Sequence, residues 1–321
     1  MDISHLVDGL NEEQRQAVTA PIQPMLVLAG AGSGKTRVLT HRVAWLSEVE
    51  GASPHSIMAV TFTNKAAGEM RARIEQLLHL PTALLWVGTF HGIAHRLLRL
   101  HWREAKLPQT FQIIDADDQH RVIKKILKAQ NLDESRWVPK EIAWFINAQK
   151  DAGLRPQNMK DEGDYQRRQL IRLYEDYQVA CERGGMVDFA ELLLRVYELM
   201  RDNSVVLEHY RNRFKHVLVD EFQDTNAIQY QWLRQMVGPE GNPMVVGDDD
   251  QSIYGWRGAK VENIAQFKHD YPRMKTVRLE QNYRSTGNIL KAANQLIQQN
   301  QGRLGKNLWT SDGEGELIKL Y

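Results

Sequence analysis

The chain has 321 residues, of which 42% are hydrophobic and 25% charged, a balance typical of folded globular proteins rather than disordered ones. Its 41 Lys and Arg residues and 40 Asp and Glu residues nearly cancel, so the overall charge indicates neither a nucleic acid nor a membrane as partner. The single cysteine, Cys181, cannot form an intramolecular disulfide, which fits a reducing cytoplasm; no motif surrounds it, which favours a structural thiol over a nucleophile.

The N-terminal stretch MDISHLVDGLNEEQRQAV is acidic and lacks the apolar core of a secretory signal. No apolar run approaches the roughly 20 residues that a membrane helix needs. We therefore expect a cytoplasmic protein without membrane contact.

The first predicted strand, PMLVLAG (24–30), leads into the glycine-rich stretch AGAGSGKT, and a helical pattern follows from Arg37 to Leu46. This is the context of a phosphate-binding loop, although Ala29 stands where the usual pattern has glycine. Lys35 is expected on the β- and γ-phosphates and the Thr36 hydroxyl on Mg²⁺. A glycine-rich turn that only caps a helix is the alternative. The predicted loop residues are Ala29, Gly30, Ala31, Gly32, Ser33, Gly34, Lys35 and Thr36.

Two further apolar runs, SIMAVTF (56–62) and LLWVGTF (84–90), predict strands of a parallel sheet that is covered on both faces. Between them, Lys65 to Leu78 shows the apolar stripe of an amphipathic helix, formed by Ala66, Met70, Ile74 and Leu77. From about residue 91 to 213 the strand-like runs stop, and helical patterns such as VIKKILKAQ, EIAWFINAQ, QLIRLYEDY and FAELLLRVYELM follow. We expect an all-helical insertion here.

The strand KHVLVDE (215–221) opens the stretch VLVDEFQDT and delivers two adjacent acids at its carboxyl end. Paired with a phosphate-binding loop, Asp220 is expected to hold Mg²⁺ and Glu221 to act as general base for the attacking water. Acids that merely start a loop are the alternative for this pair.

The next strand, PMVVGDD (243–249), begins the stretch VVGDDDQSIYGWRGA. Gln251 is a candidate to contact the γ-phosphate, and Tyr254 and Trp256 are candidates to stack on bases. A buried core position is the alternative for Trp256.

The last strand, KTVRLEQ (275–281), places Tyr283 and Arg284 of RLEQNYRST just beyond its end. An arginine that reaches the γ-phosphate stabilises the charge that develops during transfer, whereas a solvated surface arginine is the common alternative. A helical pattern from Ile289 to Gln299 and a glycine-rich tail follow.

Taken in order, AGAGSGKT, VLVDEFQDT, VVGDDDQSIYGWRGA and RLEQNYRST resemble motifs of the UvrD/Rep/PcrA family of superfamily-one DNA helicases, and the resemblance extends along the whole chain. That family tolerates alanine at the start of its phosphate-binding loop. The resemblance implies a RecA-like α/β motor core, ATP and Mg²⁺ as cofactors, and 3′-to-5′ unwinding. It also implies single-stranded and duplex DNA as partners and a role with repair proteins.

Carried over to this sequence, the resemblance implies that Gln14 of LNEEQRQAV contacts adenine, that Arg37 lies near the nucleotide and that Tyr283 stacks on adenine. A capping box formed by Asn11 and Gln14 at a helix start is an equally physical reading. The catalytic residues implied are Lys35, Glu221, Gln251 and Arg284. The implied DNA-binding residues are Phe62, Thr63, Asn64, Thr89, Phe90, His91, Tyr254, Trp256 and Arg257.

The implied domains are a first RecA-like motor domain (1–90 and 214–280), a helical insertion (91–213) and the truncated start of a second RecA-like domain (281–321). We expect the chain alone to be inactive or weakly active, with Arg284 poorly held. Two alternatives remain: a helicase-nuclease subunit of the RecB or AddA type, and a module that binds ATP and DNA without turnover.

Overall fold

The computed structural model describes residues 3–79, 85–301 and 303–319, without the side chain of Arg257. Within these ranges the strands are β1 Met25–Ala29, β2 Ile57–Thr61, β3 Trp86–Thr89, β4 Gln112–Ile113, β5 Met186–Val187, β6 His216–Val219, β7 Met244–Gly247 and β8 Lys275–Leu279. The helices are α1 Ser4–Val7, α2 Glu12–Val18, α3 Lys35–Glu48, α4 Asn64–Leu78, α5 Phe90–Leu100, α6 Ala116–Ala129, α7 Pro139–Asp151, α8 Tyr165–Gly184, α9 Phe189–Asp202, α10 Ser204–Arg213, α11 Ala227–Val237, α12 Glu262–Asp270 and α13 Gly287–Ile297.

The six strands predicted from apolar runs are confirmed, and in the described part of the chain they form one parallel sheet in the order β3-β2-β6-β7-β1-β8. Every residue of β1, β2, β6 and β7 is buried, as expected for central strands covered on both faces. The α/β class with a parallel central sheet is therefore confirmed.

Strand register brings the carboxyl ends of these strands to one edge of the sheet. Val60 pairs with Val219, and Leu28 pairs with Gly247. Ala29, the last residue of β1, pairs with Leu279 at the end of β8. Because parallel strands all point the same way, the loops that follow them emerge side by side at this edge.

Helix α4 covers the predicted span, but its buried stripe is displaced at both ends. Ala67, Met70, Ile74 and Leu78 are buried, whereas Ala66 and Leu77 are only half-buried. A spacing of three and four residues fits both the predicted and the observed stripe. A shift by one residue turns the stripe by about 100° around the helix but leaves the spacing unchanged. Contact with the sheet selects the set that faces it.

The chain forms two compact units. The first comprises residues 1–89, 210–225 and 237–321, and the second comprises 90–209 and 226–236. The first unit contains the six-stranded sheet and a core in which strand residues such as Val27, Ala59 and Val246 pack with helix residues such as Val43 and Ile74.

The second unit is mostly helical, but the expectation of an all-helical insertion is wrong in one detail. Strands β4 and β5 form a short parallel pair through Gln112 with Met186 and Ile113 with Val187. Its core includes Ile123, Ile146, Leu173 and Tyr177. Two-residue strands leave no periodic pattern, so they are not visible in the sequence.

The compact units and the predicted domains divide the chain differently. Residues 226–236 group with the second unit, although the prediction gave them to the first motor domain, and residues 281–321 group with the first unit. The domain boundaries therefore stay a prediction. Among the described residues, the structure contains no helix with both the length and the apolar character to cross a membrane.

Candidate nucleotide and DNA site

The predicted phosphate-binding loop joins β1 to α3 at the carboxyl edge of the sheet. Ala29 is the last residue of β1 and has extended backbone, so a methyl group is tolerated where the usual pattern has glycine. Gly32 (φ 68°) and Gly34 (φ 88°) adopt the left-handed conformation that favours glycine. Helix α3 begins directly at Lys35, which directs the unpaired N–H groups of its first turn toward the loop.

Residues that follow β8 pack closely against the predicted phosphate-binding loop. A Cβ atom on Gly32 would lie 2.7 Å from Nδ2 of Asn282 and 2.8 Å from Cβ of Arg284. A Cβ atom on Gly30 would overlap Cδ2 of Leu308. Gly32 is therefore required for close packing as well as for backbone conformation, whereas the Leu308 side chain beside Gly30 can move.

Lys35 and Glu221 meet across the carboxyl edge of the sheet. Nζ of Lys35 lies 2.9 Å from Oε2 of Glu221. Beside them, the buried carboxylate of Asp220 accepts hydrogen bonds from the Thr36 side chain and from the Glu221 backbone N–H. Burial and the neighbouring Glu221 carboxylate raise the pKa of Asp220 to about 6.

This donor set fits Mg²⁺. A hydroxyl and a carboxylate are the hard oxygen ligands that the ion prefers, and Mg²⁺ in such sites takes only one or two protein ligands beside phosphate and water. The raised pKa of Asp220 marks a buried carboxylate that a nearby cation would stabilise in its charged form. Thr36 and Asp220 are the residues that would hold the ion.

Gln223, which the sequence analysis did not single out, lies at the centre of the site. Its Nε2 donates to Oε2 of Glu221 at 2.8 Å, and its Oε1 accepts from the backbone N–H of Asp248 at 2.9 Å. The side chain is buried, and a Cβ atom on Gly247 would lie 2.9 Å from its Oε1. The only hint in the sequence is its position between two acids in DEFQD.

The loop after β7 places Gln251 close to this network, where its side-chain amide donates to the Asp248 carboxylate. Asp248, Asp249 and Asp250 form a group of acids that a metal could occupy by geometry. The ammonium of Lys306 lies among all three carboxylates, so their charge already has a cationic partner. Lys306 was also missed, because nothing in its local sequence links it to acids that lie 56 to 58 residues earlier.

Asn282 fixes the segment after β8 to the phosphate-binding loop. Its Nδ2 donates to the Ala31 carbonyl at 2.5 Å, and its Oδ1 accepts from the backbone N–H groups of Arg284 and Ser285. The backbone N–H of Tyr283 donates to the Gly32 carbonyl at 3.0 Å. The expectation that Arg284 is poorly held is therefore wrong for its backbone, while its side chain is exposed.

Gln14 completes the predicted capping box: it exchanges hydrogen bonds with Asn11 at the start of α2, and its Nε2 also donates to the Ser33 carbonyl at 2.9 Å. Asn11 in turn donates to the Tyr283 hydroxyl at 2.9 Å. Tyr283 is 48% exposed, and Arg37 is exposed on α3. Adenine contacts by Gln14 and Tyr283 and the placement of Arg37 near the nucleotide stay predictions.

Three predicted DNA-binding aromatics of the first unit lie together. The rings of Phe62 and Tyr254 stack with centroids 5.6 Å apart, and Trp256 lies 6.4 Å from Tyr254. Trp256 is 70% exposed, which excludes the alternative of a buried core residue. The side chain of Arg257 lies outside the described part of the chain.

The remaining predicted DNA contacts of the first unit have local structural roles as well. Thr63 caps α4 by accepting a hydrogen bond from the Ala66 backbone N–H, and Asn64 is exposed at the first position of that helix. Thr89 ends β3 and is buried. Their contact with DNA stays a prediction.

In the second unit, Phe90 is buried and packs edge to face on Trp232. A buried ring gives no support to the prediction that Phe90 stacks on a base. The ring of His91 packs on Phe189, and burial lowers the pKa of His91 to about 4. His91 is therefore neutral at pH 7 and would contact DNA by hydrogen bonding rather than by charge.

Comparison with known proteins identifies the family. Residues 10–272 match the model of the UvrD/REP helicase N-terminal domain, and residues 277–321 match that of the UvrD-like helicase C-terminal domain. The chain is 60% identical over 321 residues to DNA helicase II of Escherichia coli (strain K12), a match covering all of this chain and 45% of that protein. It is 61% identical to DNA helicase II of Salmonella typhimurium, again over 321 residues and 45% of the relative.

A more distant relative is the ATP-dependent DNA helicase PcrA of Staphylococcus epidermidis, 44% identical over 317 residues, with 98% of this chain and 44% of that protein covered. The chain thus spans about 45% of the length of the two DNA helicase II proteins that it matches. The family-model match extends over most of the chain and contains the phosphate-binding loop, the Asp220–Glu221 pair and the loop after β7. The chain belongs to the UvrD/REP helicase family.

Proposed function

We propose that the protein is an ATP-dependent DNA helicase that moves 3′ to 5′ along a single strand and unwinds duplex DNA. The observation that carries this proposal is the meeting of Lys35 with Glu221, and of Thr36 with Asp220, at the carboxyl edge of the sheet. The names of the relatives, DNA helicase II and ATP-dependent DNA helicase PcrA, support the activity.

Hydrolysis would proceed by in-line attack of water on the γ-phosphate of ATP. Lys35 exchanges its contact with Glu221 for the β- and γ-phosphates, and Glu221 then accepts the proton of the attacking water. Thr36 and Asp220 hold Mg²⁺, which when bound neutralises charge on the phosphate oxygens. The separation of 2.9 Å between Lys35 and Glu221 supports this exchange, because both groups already lie within reach of one site.

Gln251 and Arg284 would act at the γ-phosphate from two loops of the same sheet edge. Arg284 stabilises the charge that develops during transfer. Its backbone is tied to the phosphate-binding loop through Asn282, which supports a catalytic role. Gln251 contacts the γ-phosphate by its amide, after release from Asp248.

Single-stranded DNA would bind by base stacking on Tyr254 and Trp256, with contacts from the residues at the ends of β2 and β3. Stacking tolerates any base sequence, as a translocating motor requires.

We assign residues 1–90 and 214–280 to a first RecA-like motor domain, 91–213 to a helical insertion and 281–321 to the start of a second RecA-like domain. We further propose a role in DNA repair in the cytoplasm, which membership of the family supports.

Two substitutions test the ATP site in the full-length product of the gene. Lys35→Ala removes the cation expected on the transferred phosphoryl group, so DNA-stimulated ATP hydrolysis should fall to background. Glu221→Gln keeps the shape of the side chain but cannot accept a proton, so hydrolysis should fall by about 10²- to 10⁴-fold while ATP affinity persists.

Hydrolysis is measured at steady state with and without single-stranded DNA, and ATP affinity with a fluorescent analogue. Lys125→Ala, which removes an exposed lysine on α6, is the matched control and should change neither quantity. Hydrolysis at the unmodified rate in Lys35→Ala would contradict the phosphate-loop assignment. Lost ATP affinity in Glu221→Gln would contradict its role as base.

The two alternatives predict different results in the same assay. A module that binds without turnover would show ATP and DNA affinity but no hydrolysis in the unmodified protein. A helicase-nuclease subunit would hydrolyse ATP and also cleave DNA. No observation on the described residues favours either one.

A further inference from the structure

We propose that Gln223 is a positioning residue that holds the Glu221 carboxylate and couples it to the loop after β7, so that DNA bound near Tyr254 and Trp256 raises the rate of ATP hydrolysis. The inference rests on the proposed function, in which Glu221 is the general base. It assigns a role to a residue that lies between the nucleotide site and the candidate DNA-binding loop.

Both ends of the buried Gln223 side-chain amide form hydrogen bonds. Nε2 of Gln223 donates to Oε2 of Glu221 at 2.8 Å, and Oε1 accepts from the backbone N–H of Asp248 at 2.9 Å. Gln223 is only 1% exposed, so its amide cannot exchange these partners for water without rearrangement. The amide therefore fixes the distance between Glu221 and the loop after β7.

The Glu221 oxygen that Gln223 contacts is also the one that Lys35 contacts. When Lys35 moves to the phosphates of ATP, Gln223 remains as the donor that holds this oxygen. A base must stay within hydrogen-bond reach of the attacking water, and a misplacement of about 1 Å can lower a rate by roughly 10²-fold. Gln223 thus becomes most important when nucleotide is bound.

At its other end, Gln223 contacts a loop that carries the proposed contacts to both ATP and DNA. Asp248 accepts a hydrogen bond from the side chain of Gln251, and Tyr254 and Trp256 follow in the same loop. Gly247 leaves room for the contact, since a Cβ atom there would lie 2.9 Å from Oε1 of Gln223. A shift of this loop on DNA binding would displace the Asp248 N–H, and through Gln223 the Glu221 carboxylate.

The test uses Gln223→Met, which keeps the length of the side chain and removes its hydrogen bonds to Glu221 and Asp248 together with a longer one, of 3.3 Å, to Asp224, in the full-length gene product. At saturating single-stranded DNA we expect kcat for ATP to fall by about 10- to 100-fold, the range for losing a supporting partner of a site ligand. The rate without DNA should fall less, so the stimulation ratio moves toward one. KM for ATP and Kd for single-stranded DNA should stay within about twofold, because Gln223 contacts neither ligand.

Gln223→Glu is the second variant, since it accepts from the Asp248 N–H but cannot donate to Glu221 when ionised. We expect it to lose stimulation as well; if Gln223→Met fails to fold, this variant decides. Gln119→Met is the matched control, because Gln119 is a buried amide of the second unit that bonds to Asn147. It should leave the stimulation ratio unchanged.

The outcomes separate this inference from the proposed function. If the unmodified protein shows no DNA-stimulated hydrolysis, the proposed function fails and this inference is overturned with it. If the unmodified protein is stimulated and both Gln223 variants retain its ratio, this inference alone is overturned. Equal loss of the basal and stimulated rates, or lost ATP affinity in both variants, also overturns the coupling.

Discussion

Glu221 has a left-handed backbone conformation, with φ 49°, that is unfavourable for a side-chain-bearing residue. Such strain typically amounts to about 1–3 kcal/mol and persists where surrounding contacts fix the residue. Its carboxylate receives hydrogen bonds from Lys35 and Gln223, and its backbone N–H donates to Asp220. These contacts aim the carboxylate at the carboxyl edge of the sheet, where the attacking water is expected.

Trp256 offers the clearest prediction for DNA binding at the residue scale. Trp256→Ala should weaken single-stranded DNA binding by about 1–3 kcal/mol, the range for losing one stacked base. The melting temperature should hardly change, because the side chain is 70% exposed and its removal leaves no internal cavity. Fluorescence titration with an oligonucleotide measures the first quantity and thermal unfolding the second.

Trp144→Ala is the matched control for this prediction. Trp144 is 68% exposed, nearly the same fraction as Trp256, but it lies on α7 of the second unit. Its loss should leave DNA affinity unchanged. An equal loss of affinity in both variants would mean that any exposed tryptophan contributes, and the role given to the loop after β7 would be wrong.

The residues that could be predicted are those whose chemistry is local in sequence. Lys35 and Thr36 follow a glycine-rich turn, and Asp220 and Glu221 end an apolar strand. Asn282 was missed because its function depends on a contact with Ala31, 251 residues away. An amide has no distinctive spacing pattern, so only the folded structure assigns its partners.

At the scale of elements, the C-terminal segment (residues 303–309) is tied to the loop after β7 by charge. Lys306 is buried and lies 3.1 Å from Asp249 and 2.7 Å from Asp250, and Arg303 lies 2.6 Å from Asp250. Hydrogen bonds from Arg303 and Lys306 outweigh the effect of burial and lower the pKa of Asp250. The segment and the loop therefore stabilise one another through a compensated group of charges.

Lys306→Met should release this segment. Removing one partner of a buried ion pair leaves uncompensated charge and typically costs about 3–5 kcal/mol. Limited proteolysis should then cleave the C-terminal segment faster than in the unmodified chain, at conditions where the sheet stays folded. Lys291→Met is the control, because Lys291 pairs with Glu314 at the surface and its loss should have little effect.

The same attachment should weaken in acid. Because the pKa of Asp250 is lowered on folding, its ion pairs contribute fully above the unfolded value of 3.8. That contribution is lost as the pH falls through the lower folded pKa.

Unchanged proteolysis of Lys306→Met at neutral pH would show that Leu308 and its apolar contacts hold the segment without the charges.

Elements were predictable where they are long and bury a continuous apolar run. Strands β1, β2, β6 and β7 meet that condition, and helices such as α4 and α9 instead bury an apolar stripe at helical spacing. Strands β4 and β5, of two residues each, do not, and Gln112 and Ile113 are exposed. The grouping of residues 226–236 with the second unit depends on packing between distant segments, which a local pattern does not contain.

At the scale of the whole molecule, the balance of charge bears on the proposed binding of DNA. With 41 basic and 40 acidic side chains, the chain has an excess of only one cation to neutralise phosphates. Of the nine predicted DNA-binding residues, Arg257 alone is cationic at pH 7, since burial lowers the pKa of His91 to about 4. Stacking on Tyr254 and Trp256 releases no condensed counterions.

We therefore expect a shallow salt dependence of single-stranded DNA binding. Each phosphate neutralised contributes about −0.7 to the slope of log K against log salt for a single strand, so one contact from Arg257 gives a slope of about −0.7. Fluorescence titrations at several NaCl concentrations measure it. Trp256→Ala should move the line to lower affinity in parallel, because the lost contact is uncharged. A slope steeper than about −4 would require about six or more phosphate contacts, and would move the DNA track from the aromatic loop to a basic surface elsewhere.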